Sequence, residues 1–107
     1  MNELEKVIYI NNLFQLYGSL LSKAQQEIIQ DYYEYNLSIS EIAENRNTSR
    51  SAVEDALKKG VKKLMEIEEK INVLHTNEEI KDILNKMKNT SSKEEINKLI
   101  EEIERRI

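Results

Sequence analysis

With 107 residues, 34% of them charged, no proline and only two glycines, the chain has room for one modest core, and its composition argues for helices throughout. The absence of cysteine excludes disulfides and thiolate chemistry, and a single histidine, His75, excludes a histidine-rich metal site. A net charge of −4 argues against strong general affinity for nucleic acid, which shows as a basic domain.

The first predicted helix runs from about Glu3 to Tyr17, with Leu4, Val7, Ile8, Phe14 and Tyr17 recurring at three-four spacing. Gly18 lies just past its end, the favoured place for a left-handed terminating residue. Ser22 and Gln25 have capping-box spacing, so a second helix starts there and carries Ile28, Ile29, Tyr32 and Tyr33 inward to about Asn36. Tyr32 extends the apolar face of Ile28 and Ile29. The cluster Tyr32, Tyr33 and Tyr35 therefore reads as core with hydroxyls at the rim rather than as a base-stacking platform.

Ser38 to Leu64 reads as helix, tight turn, helix. Ser38 and Glu41 form a second capping box, and Ile39, Ile42 and Ala43 give a short apolar face. Asn47 stands where the chain must reverse, and asparagine tolerates left-handed backbone angles better than any residue but glycine. Ser49 is the next N-cap, and Val53 and Leu57 are the inward face of the helix it opens. Small Ala43 suits the close crossing of two helices. This is the pattern of a helix-turn-helix, although Arg46 and Thr48 flank a corner usually sealed by apolar residues.

The second helix of the motif is predicted to continue to about Leu74. Val53, Leu57, Gly60, Leu64, Ile67, Ile71 and Leu74 keep strict 4-3 spacing. The motif is too small to cover Leu64, Ile67, Ile71 and Leu74. They form a seam to be buried by the chain's own tail or by a second copy in a homodimer, and fold-back of the tail is the preferred expectation. A break is expected at His75, Thr76 and Asn77, with a third capping box from Thr76 to Glu79. A short helix follows with Ile80, Ile83, Leu84 and Met87 inward. Asn89 to Ser92 is a linker, Ser92 and Glu95 make a fourth box, and the last helix carries Ile96, Leu99, Ile100, Ile103 and Ile107. The expected organisation is a helix-turn-helix domain over 1–75 and a helical extension over 76–107 that packs on the long helix.

No sequence motif points to catalysis. There is no phosphate-binding glycine loop, HExxH or metal-ligand spacing, so no enzyme activity, metal or cofactor is expected. The candidate nucleic-acid contacts are Ser49, Arg50 and Ser51 at the start of the recognition helix, with Lys58, Lys59, Lys62 and Lys63 further along. Glu54 and Asp55 are placed to pair with Lys58 and Lys59 and would oppose a phosphate backbone, so any DNA binding is expected to be weak. No apolar run reaches transmembrane length and the polar N-terminal stretch lacks a secretory signal, so a cytoplasmic protein without membrane contact is expected.

Several stretches, LYGSLLS, DYYEYNLS, EIAE and the residues Ser49, Arg50, Ala52, Val53 and Asp55, resemble the YlxM-like helix-turn-helix family. The resemblance runs from about Asn11 to Ile71. It implies an all-α fold similar to region 4 of sigma factors. The family's genes commonly lie beside those of signal recognition particle GTPases. The resemblance therefore implies a regulatory or accessory role in that targeting pathway, with the particle's GTPase or RNA as partner. A DNA-binding transcriptional regulator is the alternative, and a coiled-coil interaction protein without a nucleic-acid role is the third reading.

Overall fold

The computed structural model describes all residues from Met1 to Ile107. It holds six α-helices and no strand: α1 (Glu3–Tyr17), α2 (Lys23–Ile29), α3 (Ile39–Asn45), α4 (Arg50–Ile71), α5 (Val73–Lys88) and α6 (Lys93–Glu104). The chain divides into two compact units, Met1–Ile71 and Asn72–Ile107.

Short polar side chains start the helices of the first unit. Asn2 caps α1: its Oδ1 accepts from the Glu5 amide at 2.8 Å, and its Nδ2 donates to the Glu5 carboxylate at 2.9 Å. Both expected boxes form ahead of α2 and α3. Ser22 Oγ accepts from the Gln25 amide and Gln25 Oε1 accepts from the Ser22 amide, each at 3.2 Å. Ser38 and Glu41 exchange the same pair of bonds at 3.0 and 3.1 Å.

The inward face of α1 is Ile10, Leu13 and Tyr17, not the row expected from Leu4 and Ile8, which stay 69% and 52% exposed. Ile8 stands about 160° around the helix from Ile10 at roughly 100° per residue, so the two cannot face one core. Gly18 is also not left-handed. At φ −55° it leads into a 3-10 turn over Gly18–Leu20. Its small size matters instead, because a Cβ there would lie 2.9 Å from the Phe14 ring. After α2 the chain widens into a π turn over Gln30–Glu34, closed by Asn36 at φ 57°. Tyr32 and Tyr33 pack edge to face there, ring centroids 4.9 Å apart, and both are half-buried rather than enclosed. Tyr35 is 59% exposed.

Val53, Leu57, Gly60 and Leu64 of α4 are all buried. Gly60 marks the crossing of α2 and α4, where an added Cβ would meet Ile29 Cδ1 at 2.5 Å. The seam then ends earlier than its spacing suggests. Ile67 is half-buried and Ile71 is 56% exposed. Asn72 adopts φ 59°, a left-handed conformation that cannot continue an α-helix, and α5 begins at Val73. Leu74 therefore belongs to α5, and the long helix expected to reach it stops at Ile71. The expected break at His75, Thr76 and Asn77 is likewise absent, since all three lie within α5. Once Asn72 has turned the chain, the Thr76 amide finds a backbone acceptor, the Asn72 carbonyl, at 3.1 Å. No Thr76 to Glu79 box is needed. Glu79 instead meets His75 at 3.1 Å and Arg106 at 3.2 Å.

In the second unit α5 packs against α6, and Leu74, Ile83 and Leu99 are buried while Leu84 and Ile100 remain partly exposed. The fourth box forms by half. Ser92 Oγ caps the Glu95 amide at 3.2 Å, but the Ser92 amide donates to Thr90 Oγ1, which itself donates to Glu95.

Candidate nucleic-acid interface

The turn between α3 and α4 is built by backbone bonds around Asn47 at φ 55°. The Thr48 amide donates to the Ala43 carbonyl at 3.0 Å and the Asn47 amide to the Glu44 carbonyl at 3.2 Å. These are the two bonds of a Schellman ending, and they free the chain to start α4 after only four intervening residues. Ser49 then caps α4, its Oγ accepting from the Ala52 amide at 3.1 Å. Ile42, Ala43, Val53 and Leu57 are buried between the two helices and their neighbours, so this is a helix-turn-helix with α4 as its second helix.

The corner is sealed by charge. Arg46 Nη1 donates to Glu27 Oε2 at 2.6 Å, which ties the end of α3 to α2. The bonded guanidinium holds the Glu27 carboxyl below its ordinary 4.5. This solves the problem of a polar corner residue, and the sequence reading missed it because the partners are nineteen positions apart. A second such link was also missed. Tyr17 donates its hydroxyl to Glu68 at 2.7 Å, and Glu68 is only 7% exposed, where an acid on a charged helix reads as solvated.

Ser49, Arg50, Ser51, Lys58, Lys59, Lys62 and Lys63 are all exposed. They do not form one patch. Successive helix residues are about 100° apart, so Lys58 and Lys62 share a row with Ser51, and Lys59 and Lys63 share a neighbouring row with Ala52 and Ala56. Asp55 lies between the rows and pairs with Lys59 at 3.0 Å, and Lys62 lies 4.0 Å from Glu66. A surface laid along the outward face of α4 thus meets lysines already partly matched by carboxylates. Such exposed pairs are weak and yield readily to a phosphate or to salt. Of the expected seam, Leu64 is core, Ile67 and Ile71 are progressively exposed on α4, and Leu74 is on α5.

No helix is long and apolar enough to cross a membrane. A profile of the family described as "UPF0122: Putative helix-turn-helix protein, YlxM / p13 like" matches residues 4–103. The chain belongs to this family. The match extends beyond the Asn11–Ile71 stretch that carried the resemblance and takes in α1, α5 and nearly all of α6, so the tail too has a family counterpart. The UPF0122 protein of Fusobacterium nucleatum is 39% identical over 100 residues, covering 94% of this chain and 97% of the relative. The UPF0122 protein YlxM of Bacillus subtilis is 40% identical over 106 residues, covering 95% and 96%. A UPF0122 protein of Mycoplasma capricolum is 35% identical over 86 residues, covering 80% and 76%.

Proposed function

We propose that this YlxM-family protein is a non-enzymatic regulatory or accessory factor of the signal recognition particle pathway, and that the outward face of α4 makes a weak, salt-dependent contact with nucleic acid. The observation that carries the contact is the helix-turn-helix geometry with Ser51, Lys58 and Lys62 exposed along one row of α4. The link to the targeting pathway rests on family resemblance. The interleaved Asp55 and Glu66 make a tight DNA reader a poorer fit, because each carboxylate opposes the counterion release that drives such binding. A DNA-binding regulator remains the second reading, favoured by exposed Ser49, Arg50 and Ser51 at the helix start. The coiled-coil reading fits less well, since α4 ends at Ile71 and Leu74 lies on α5.

Affinity for structured RNA and for duplex DNA, measured across a salt series, tests the contact. A Lys58→Glu/Lys62→Glu variant should lose about tenfold or more at low salt, and the loss should shrink as salt rises. A variant that binds both polymers as well as the parent sinks this face. Capture from lysate with and without nuclease then separates an RNA-borne association with the particle from a direct one with its GTPase.

A further inference from the structure

One flank of α4 is apolar where its outward face is charged. Leu57, Val61 and Met65 recur every fourth residue and line a groove of about 440 Å³ whose opposite wall is Tyr33 and Lys6. Leu57 is the buried floor, Val61 is half-buried, and Met65 is 47% exposed. The lining runs from Leu57 to Glu69, about 18 Å along the helix. Its rim is divided by charge. Lys58 and Lys62 flank the end nearer the turn, Glu66 and Glu69 flank the other end, and Lys6 of α1 also lines the groove.

We propose that this groove docks an amphipathic helix of a partner protein. Its apolar side chains, four apart, would rest on Leu57, Val61 and Met65. Acidic side chains at one end would face Lys58 and Lys62, and basic ones at the other end would face Glu66 and Glu69. Charge complementarity selects a helix of mixed charge over nucleic acid. A nucleic acid laid in the groove would drive phosphates onto Glu66 and Glu69, whereas a helix three turns long can carry both signs at the required places. Methionine at the exposed edge suits the task, because its unbranched thioether fills irregular gaps under a ligand. Lys58 and Lys62 belong both to this rim and to the nucleic-acid face, so a docked helix and a bound polyanion exclude one another. The groove proposal itself does not depend on nucleic-acid binding.

The test uses the full chain and three labelled synthetic peptides of about 18 residues with one leucine spine at i, i+4 spacing. One carries Glu in its first half and Lys in its second, one carries Glu throughout and one Lys throughout. Fluorescence anisotropy should show the mixed peptide binding about tenfold tighter than either uniform one, a difference of about 1.4 kcal/mol. Met65→Asp should weaken all three by about tenfold or more while the thermal melting curve stays put, and Glu66→Lys/Glu69→Lys should move the preference to the all-Glu peptide. Equal binding of the three peptides, or full binding by Met65→Asp, overturns the proposal. A dimer in sedimentation that Met65→Asp dissolves, or loss of RNA binding in a charge-neutral Met65→Ser variant, also overturns it by assigning the groove to a second copy or to nucleic acid.

Discussion

The unit Met1–Ile71 and the unit Asn72–Ile107 are built from the same residues in different proportions of burial. In the first, Ile10, Leu13, Ile29, Ile42, Val53 and Leu64 are each less than 2% exposed. In the second the most enclosed side chains are Ile83 at 4%, Leu99 at 6% and Leu74 at 9%. Four helices can surround a side chain, while two can only sandwich it, so the same isoleucine contributes more in the first unit than in the second. The caps are distributed unevenly as well. Complete two-bond boxes occur only in the first unit, at Ser22 and Ser38, while its α4 starts from a single Ser49 bond much as α6 starts from Ser92, and α5 follows a left-handed Asn72.

The largest test of this contrast is core truncation. Leu13→Ala or Ile29→Ala should cost about 2–5 kcal/mol, because a fully enclosed cavity cannot collapse, and Leu99→Ala should fall below that range. Urea denaturation followed by circular dichroism measures both, and equal costs in the two units would break the comparison. Next in size are the caps. Ser38→Ala should cost about 0.5–2 kcal/mol by removing an acceptor from the first turn of α3. Thr76→Ala should change stability by less than about 0.5 kcal/mol, since Thr76 lies inside α5 rather than at its start. A Thr76→Ala cost as large as that of Ser38→Ala would restore the helix break to His75–Asn77.

The smallest effect is the pH dependence of the corner. Arg46 lowers the Glu27 pKa from 4.5, so the folded state binds that proton less readily than the unfolded state. The stability from this pair is present above 4.5 and is lost as pH falls through the lower, folded value. Parent and Glu27→Gln melting temperatures should therefore differ at neutral pH and converge in acid. A constant difference across that range would show that the charge does not hold the corner.

Some of this was readable from residues alone. The boxes at Ser22 and Ser38, the reversal at Asn47 and the cap at Ser49 are contacts within a few residues, and spacing specifies them. The exposure of Arg50 and the four lysines was equally readable, and so, from helix geometry, was their division into two rows. The end of α4 was not. Leu74 continues the 4-3 spacing through Asn72 by coincidence, because a left-handed residue changes direction without changing the count. The Arg46–Glu27 and Tyr17–Glu68 links and the groove beside Met65 join residues from separate helices, and no spacing rule reaches across them.

By itself the sequence determined the helices, most of their starting points and the helix-turn-helix, because capping and apolar periodicity act over three or four positions and barely depend on what lies elsewhere. Only the tertiary structure decided which face of α1 is buried, that Gly18 serves as space rather than as a turn, where α4 stops, and which acids leave the surface. Those outcomes depend on the closest approach of helices distant in the chain. A close-packed interior admits a side chain only where its neighbours leave room, and that room does not exist until the helices have met.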